Sequence, residues 1–251
     1  MSEEEYSRME KRVTKRFNRA CADFALLEDG DKVLIALSGG KDSMLLLHLM
    51  AQRSRLYKPK IEVEAAHVVM DNIPYESNRT SLEIFCRNEG VKFHLLHTAF
   101  DETTDRRKTK CFLCAWYRRK ALFSFAQKNG FNKLALGHHQ DDILTTLLMN
   151  LIFEGSFDTM APRLDMKHYS LALIRPLALV YETETVALAK YHSYNGIKVH
   201  CPYEDVTQRQ KTAQILKLLE TLNPEIRQSL WRALEKKHEA FRRVGQQTDQ
   251  I

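Results

Sequence analysis

Glycine and proline are scarce in this chain of 251 residues, nine and six in all, which leaves no room for Gly/Pro linkers or a collagen-like repeat. No run approaches the roughly 18 consecutive apolar residues that a membrane span needs, so no membrane partner is expected. Met1–Glu10 is acidic and lacks the basic and apolar regions of a signal peptide. Cysteines are few and odd in number (Cys21, Cys86, Cys111, Cys114 and Cys201), which argues against a disulfide framework. Internal repeats are absent too. With 44% hydrophobic and 28% charged residues, the chain is no disordered polymer. A soluble, cytoplasmic globular protein is the expectation.

The net charge of +6 is unevenly placed. Between Asp105 and Lys133 lie Arg106, Arg107, Lys108, Lys110, Arg118, Arg119, Lys120, Lys128 and Lys133, with Asp105 the one acid among them. The remainder is slightly negative. Such a segment suits a polyanion, or else a solvated helix face.

Hydrophobic periodicity gives an alternating order of elements. A helix is predicted over 3–28, then strands at 32–37, 61–70, 91–97, 132–136 and 170–174, with helices at 44–50, 77–88, 115–129, 141–153 and 182–194. That order predicts an α/β fold, a Rossmann-like sheet of five parallel strands with helices on both faces. Three regions follow: an N-terminal helical segment (1–30), a nucleotide-binding domain (31–205) and a C-terminal helical extension (206–251). In the extension Asn223-Pro224-Glu225 is a helix start, and the stripe containing Leu230, Trp231, Leu234 and Phe241 reads as core. Cys21 and Cys86 lie in helical patterns and read as buried apolar residues.

Ser38-Gly39-Gly40-Lys41-Asp42-Ser43 stands between a buried strand and a helix. In a parallel sheet that turn lies at the carboxyl edge, where ligands bind. Glycines admit close backbone approach, helix-start N–H groups attract phosphate, and Ser38, Ser43 and Lys41 add donors and charge. Asp42 would repel a phosphate unless a cation intervenes, which implies Mg²⁺. The loop is neither a Walker A motif nor a dinucleotide fingerprint. It is the signature of the PP-loop ATP pyrophosphatases, which cut ATP between the α and β phosphates. Gly137-His138-His139-Gln140-Asp141-Asp142 follows the fourth strand and reaches the same edge. Asp141 and Asp142 suit a helix N-terminus. Together with Gly137 they also suit a nucleotide pocket in which Asp142 is a second metal ligand. His138 and His139 are candidate acid–base groups.

In order along the chain, these motifs, Lys108-Thr-Lys-Cys-Phe-Leu-Cys114 with Arg118-Arg119, Ile174-Arg-Pro-Leu177 and Cys201 resemble the tRNA 2-thiocytidine synthetase (TtcA) family over about 30–210. The resemblance implies ATP-dependent thiolation of cytidine 32 in tRNA through an adenylated base, with Lys41, Asp42 and Asp142 as catalytic residues. It implies that Cys111, Cys114 and Cys201 hold a [4Fe-4S] cluster with one iron open to sulfide. Lys108, Lys110, Arg118 and Arg119 would then contact tRNA. Sulfur would come from sulfide or from a persulfide donor such as a cysteine desulfurase.

Where the family often has a second Cys-x-x-Cys, this chain has Cys201-Pro-Tyr-Glu204, so Glu204 replaces the non-ligand cysteine; if relatives carry sulfur as a persulfide on that cysteine, this protein must use free sulfide instead. Two other readings remain at this point. One is a tRNA lysidine synthetase-like ligase, with its acidic motif at Glu204-Asp205. The other is a module holding structural zinc on Cys111, Cys114, Cys201 and His200. Basic residues away from the site also leave a homodimer contact open.

Overall fold

The structure is a computed structural model, and it describes residues 2–73, 79–100, 109–166, 169–194, 208–242 and 244. Its elements, in chain order, are α1 (Glu3–Asp23), β1 (Lys32–Ala36), α2 (Lys41–Ser54), β2 (Glu62–Met70), α3 (Arg79–Asn88), β3 (Lys92–Thr98), α4 (Lys110–Lys128) and β4 (Lys133–Ala135). They continue with α5 (Gln140–Met149), β5 (Arg163–Met166), β6 (Leu171–Ile174), α6 (Glu182–Tyr191), α7 (Gln208–Leu222) and α8 (Ile226–Lys237). A π-helical turn over Asn150–Glu154 extends α5, and a 3-10 turn over Glu239–Phe241 follows α8.

The strands form one sheet in the order β3-β2-β1-β4-β6-β5. β1 pairs parallel with β2 on one side and with β4 on the other, Ile35 lying opposite both Ala65 and Ala135. The chain thus winds outward in both directions from the β1–β4 junction. That topological switch opens a crevice at the carboxyl ends of the two strands. Val33, Leu34 and Ile35 are wholly buried, as an unbroken apolar run between two helix layers requires.

Five parallel strands were expected; the described sheet has six. The addition is β5, which pairs antiparallel with β6 at the sheet edge. Its sequence, Arg-Leu-Asp-Met, leaves Leu164 exposed and buries no face, so it carries no alternation signal. Backbone pairing alone defines it. α4 also begins five residues earlier than periodicity indicated. Thr109 caps it by accepting the Phe112 N–H (3.2 Å), which places Cys111 and Cys114 on the helix. α1 stops at Asp23, because Ala25 takes a left-handed conformation (φ 46°) and turns the chain.

Val13 and Phe17 of α1, Met44–Leu47 of α2, Leu144 of α5 and Trp231 and Leu234 of α8 share one hydrophobic core. Trp231 is packed against Phe24 and Phe241, as its helical spacing indicated. Cys21 and Cys86 are buried as expected, and burial pushes both thiols up to about 12. Among the described residues, no helix is long and apolar enough to cross a membrane.

Candidate active site

The Ser38–Ser43 loop leaves β1 at the switch point and enters α2. Gly39 takes a left-handed conformation (φ 87°) that L side chains rarely adopt. Gly40 is the helix N-cap, and no side chain caps it. The first-turn N–H groups therefore face the loop rather than a protein acceptor, an arrangement that attracts phosphate. Ser38 Oγ donates to Ser43 Oγ (3.1 Å), Ser43 Oγ to the Gly40 carbonyl (2.9 Å), and the Gly40 N–H to Ser38 Oγ (3.3 Å). These bonds hold both hydroxyls at the mouth of the loop.

Lys41 Nζ donates to Asp42 Oδ2 at 2.8 Å and lies 3.7 Å from a Glu182 oxygen at the start of α6. Asp42 Oδ1 is buried and has no hydrogen-bond partner among the described residues. A buried carboxylate oxygen left unpaired is costly, and a hard cation removes that cost. Asp42 thus fits a Mg²⁺ ligand on an observation independent of its motif.

The second motif meets the first across the β1–β4 junction. A Cβ on Gly137 would lie 3.0 Å from Ser43 N and 3.1 Å from the Asp42 carbonyl carbon. Backbone cannot yield as a side chain can, so Gly137 is what lets the two loops touch. Gly137→Ala should therefore displace the loop by some tenths of an ångström. Overpacking of this kind destabilises by about 1–3 kcal/mol, and misplaced reacting groups cost roughly 100-fold in rate. Thermal melting and ATP-binding titration check this. A variant with wild-type melting and affinity would mean that the contact constrains nothing.

His139 caps α5 reciprocally with Asp142. Its Nδ1 accepts the Asp142 N–H (3.3 Å), and Asp142 Oδ2 accepts the His139 N–H (3.0 Å). The other ring nitrogen, Nε2, faces Asp42 Oδ1 at 3.8 Å. Burial alone would raise the Asp142 carboxyl, but His139 and an Arg209 Nη2 donor at 2.7 Å hold it below the ordinary range. Asp141 is engaged otherwise, accepting the Glu182 N–H (2.8 Å) and pairing with Arg227 (2.6 Å). Burial, assisted by Arg175, pulls His138 down to about 4, so it is neutral at pH 7.

Beside the loop, a small cavity of about 70 Å³ is lined by Leu37 and Ser38 of the β1 end, His67 of β2, and Arg118 and Leu122 of α4, among others. His67 Nδ1 hydrogen-bonds to the Leu37 carbonyl (2.8 Å), and its buried Nε2 has no hydrogen-bond partner among the described residues. Burial lowers its pKa, which leaves Nε2 an acceptor.

Cys111 and Cys114 stand one turn apart on α4, exposed and half-buried respectively, so both thiols leave the same helix face. Cys114 packs with Met70 and Phe100 at the carboxyl ends of β2 and β3, the edge that carries the nucleotide loop. The first turn of the helix holds no acidic residue. These two donors fit an iron–sulfur cluster. Cys201 and Lys108 lie outside the described residues, as do His200 and Glu204.

The basic segment divides. Lys110, Arg119 and Lys120 are exposed on α4, whereas Arg118 lines the loop cavity. Lys133 is buried in β4 beside Asp31 (3.7 Å), so it belongs to no polyanion surface. Sequence reasoning missed His67, Glu182, Arg209 and Arg227. None has a local motif, and each reaches the site from a distant element.

With the geometry set out, the chain can be compared with known proteins. The model of the PP-loop domain family (ATP_bind_3) matches residues 7–210. The tRNA-cytidine(32) 2-sulfurtransferase of Geobacter sulfurreducens is 37% identical over 89% of this chain and 89% of its own length. The enzyme of that name from Azotobacter vinelandii is 32% identical over 92% of this chain and 86% of its own. Among solved structures, the U34-tRNA thiolase NcsA from Methanococcus maripaludis, with its [4Fe-4S] cluster, aligns at a TM-score of 0.76 and 24% identity. That alignment covers 92% of this chain and 79% of the thiolase, and it supports the fold. A PP-loop at the switch point, cysteines on the same edge and likeness to these relatives over 89% and 92% of the chain place it in the tRNA-cytidine(32) 2-sulfurtransferase family of PP-loop proteins.

Proposed function

We propose that the protein replaces the 2-oxygen of cytidine 32 in tRNA by sulfur in an ATP-dependent, two-step reaction. The observation that carries this reading is the unpaired, buried Asp42 oxygen in a PP-loop that shares its sheet edge with Cys111 and Cys114.

ATP lies along the carboxyl ends of β1 and β2. The adenine edge faces the small cavity between Leu37, His67 and Arg118, with His67 Nε2 as an acceptor for an exocyclic N–H. Ser38, Gly39, Gly40 and Ser43 hold the β and γ phosphates with backbone and hydroxyl donors. Lys41 neutralises charge that develops on the leaving pyrophosphate. Asp42 and Asp142 would hold Mg²⁺, whose charge would offset the repulsion between Asp42 and the phosphates. His139 holds both carboxylates, since its ring lies between them.

Cytosine O2 is a poor leaving group. Its attack on the α-phosphorus expels pyrophosphate and turns O2 into a phosphate ester. Hydrosulfide then attacks C2, and AMP departs with the original oxygen. Three thiolates, Cys111, Cys114 and Cys201, would hold a [4Fe-4S] cluster, which when bound supplies one iron position open to sulfide. The test is nucleoside analysis by mass spectrometry after unmodified tRNA is incubated anaerobically with the protein, ATP, Mg²⁺ and sulfide. One 2-thiocytidine per tRNA, absent when ATP is omitted, is expected. Lysidine, or no modification, would contradict the proposal.

tRNA binds across α4. Lys110 and Arg119 contact phosphates, with Lys108 alongside, while the exposed rings of Phe112 and Trp116 offer stacking surfaces for unpaired bases. Lys120 lies 5.1 Å from the Trp116 ring centre and adds charge there. Arg118, which faces the cavity, connects this surface to the nucleotide. Arg119→Glu with Lys120→Glu should weaken tRNA binding and reduce the slope of log affinity against log salt by about 1 to 2. ATP affinity should not change. An unaltered salt slope would make this face an ordinary solvated one.

A further inference from the structure

Away from the nucleotide edge, α1, α2 and α6 bring together Glu10, His48 and His192, one donor atom of each lying within 4.8 Å of the other two. His48 is seven residues past Lys41 along α2, about 10 Å along the helix axis. We propose that these three side chains bind a zinc-type divalent transition-metal ion that fixes α1, α2 and α6 to one another.

His48 Nε2 is 4.0 Å from a Glu10 oxygen, and the His48 and His192 rings are 5.3 Å apart centre to centre. His48 is already oriented as a ligand. Its Nδ1 bonds to a Glu89 oxygen at 2.7 Å, which fixes the ring and leaves Nε2 as the nitrogen nearest Glu10. A carboxylate behind a metal-binding imidazole is the usual outer-shell partner. His48 Nε2 accepts from the Gln52 amide (2.8 Å), an interaction the ion replaces. His192 Nε2 hydrogen-bonds to Tyr6 Oη (2.8 Å), which leaves Nδ1 as the ring's other donor atom. Burial and the neighbouring His48 lower the His192 pKa, so the ring is neutral and able to ligate.

Charge points the same way. Glu10 and Glu89 face the two imidazoles, and the nearby cation, Arg55, lies 4.0 Å from the other Glu89 oxygen. Two imidazoles and a carboxylate are a common zinc set, with a fourth position for water. Bonds of about 2.0–2.2 Å set tetrahedral donors roughly 3.3 Å apart, so small rotamer shifts close the triad. The consequence reaches the active site. α2 begins at Lys41 of the nucleotide loop and α6 at Glu182, 3.7 Å from Lys41 Nζ, so an ion joining the two helices steadies the start of α2 against α6.

The test uses the full-length protein with its cluster in place. Wild type should contain, or take up in a calorimetric Zn²⁺ titration, one tight equivalent outside the cluster. His48→Gln and His192→Gln leave every cysteine intact and should each weaken it about 100-fold or more. The blue-violet absorbance should not change. Zinc-edge X-ray absorption of wild type should show nitrogen and oxygen neighbours without sulfur. Undiminished zinc binding in both variants, no zinc in wild type, or a sulfur shell would each overturn the site.

Discussion

Asp42→Asn is expected to lower ATP-dependent thiolation by about a thousandfold without disturbing the fold. Asparagine has the same shape, and its carbonyl oxygen can keep the 2.8 Å contact that Asp42 Oδ2 makes with Lys41. The other oxygen, Oδ1, has no hydrogen bond to lose. What disappears is the charge that binds the cation. Melting temperature should hold or rise slightly, because a buried, unpaired carboxylate oxygen is itself destabilising. Single-turnover thiolation and thermal melting of the same preparation separate the two effects. Activity within tenfold of wild type would remove Asp42 from the metal site.

The second large effect concerns the thiols. Cys111→Ser or Cys114→Ser should abolish both the iron–sulfur absorbance and thiolation, since two remaining thiolates hold a cubane poorly; Cys201→Ser should do the same. Cys21→Ser and Cys86→Ser should keep both. Those two thiols are buried and raised to about 12, so they do not form thiolate at neutral pH. Their cost should be stability alone, about 1–3 kcal/mol for a buried hydroxyl without an assured partner. Iron and acid-labile sulfide analysis reads the result. A Cys114→Ser protein that retained four irons and full activity would exclude the assigned ligand set.

The contrast between the two cysteine groups was legible in the sequence, because Cys21 and Cys86 fall on apolar helix faces while Cys111 and Cys114 sit in a basic segment. The nucleotide loop was legible for a similar reason: an apolar run, two glycines and a helical pattern place it at a sheet edge. The close approach of Gly137 to Ser43 was foreshadowed only by position, since both follow strands that prove to be adjacent. Other features depended on tertiary structure. Arg118 and Arg119 are neighbours in sequence, yet one lines the loop cavity and the other is exposed, a difference set by how α4 packs on β2 and β3. Arg209 and Arg227 reach Asp142 and Asp141 from α7 and α8, across more than sixty residues. No local pattern announces an ion pair of that span. β5 is defined by backbone pairing, and its four residues carry no periodic signal. The early start of α4 rests on Thr109, a cap that was easy to overlook ahead of a basic first turn.

The central claim is that the loop cuts ATP between the α and β phosphates to activate cytosine. The direct test is a single-turnover reaction with α-labelled ATP, tRNA, sulfide and the cluster-loaded protein, resolving nucleotide products alongside 2-thiocytidine. The account predicts one AMP and one pyrophosphate for each 2-thiocytidine, with no ADP and no AMP when tRNA is withheld. Thiolation accompanied by ADP and phosphate, or proceeding without stoichiometric AMP, would contradict it.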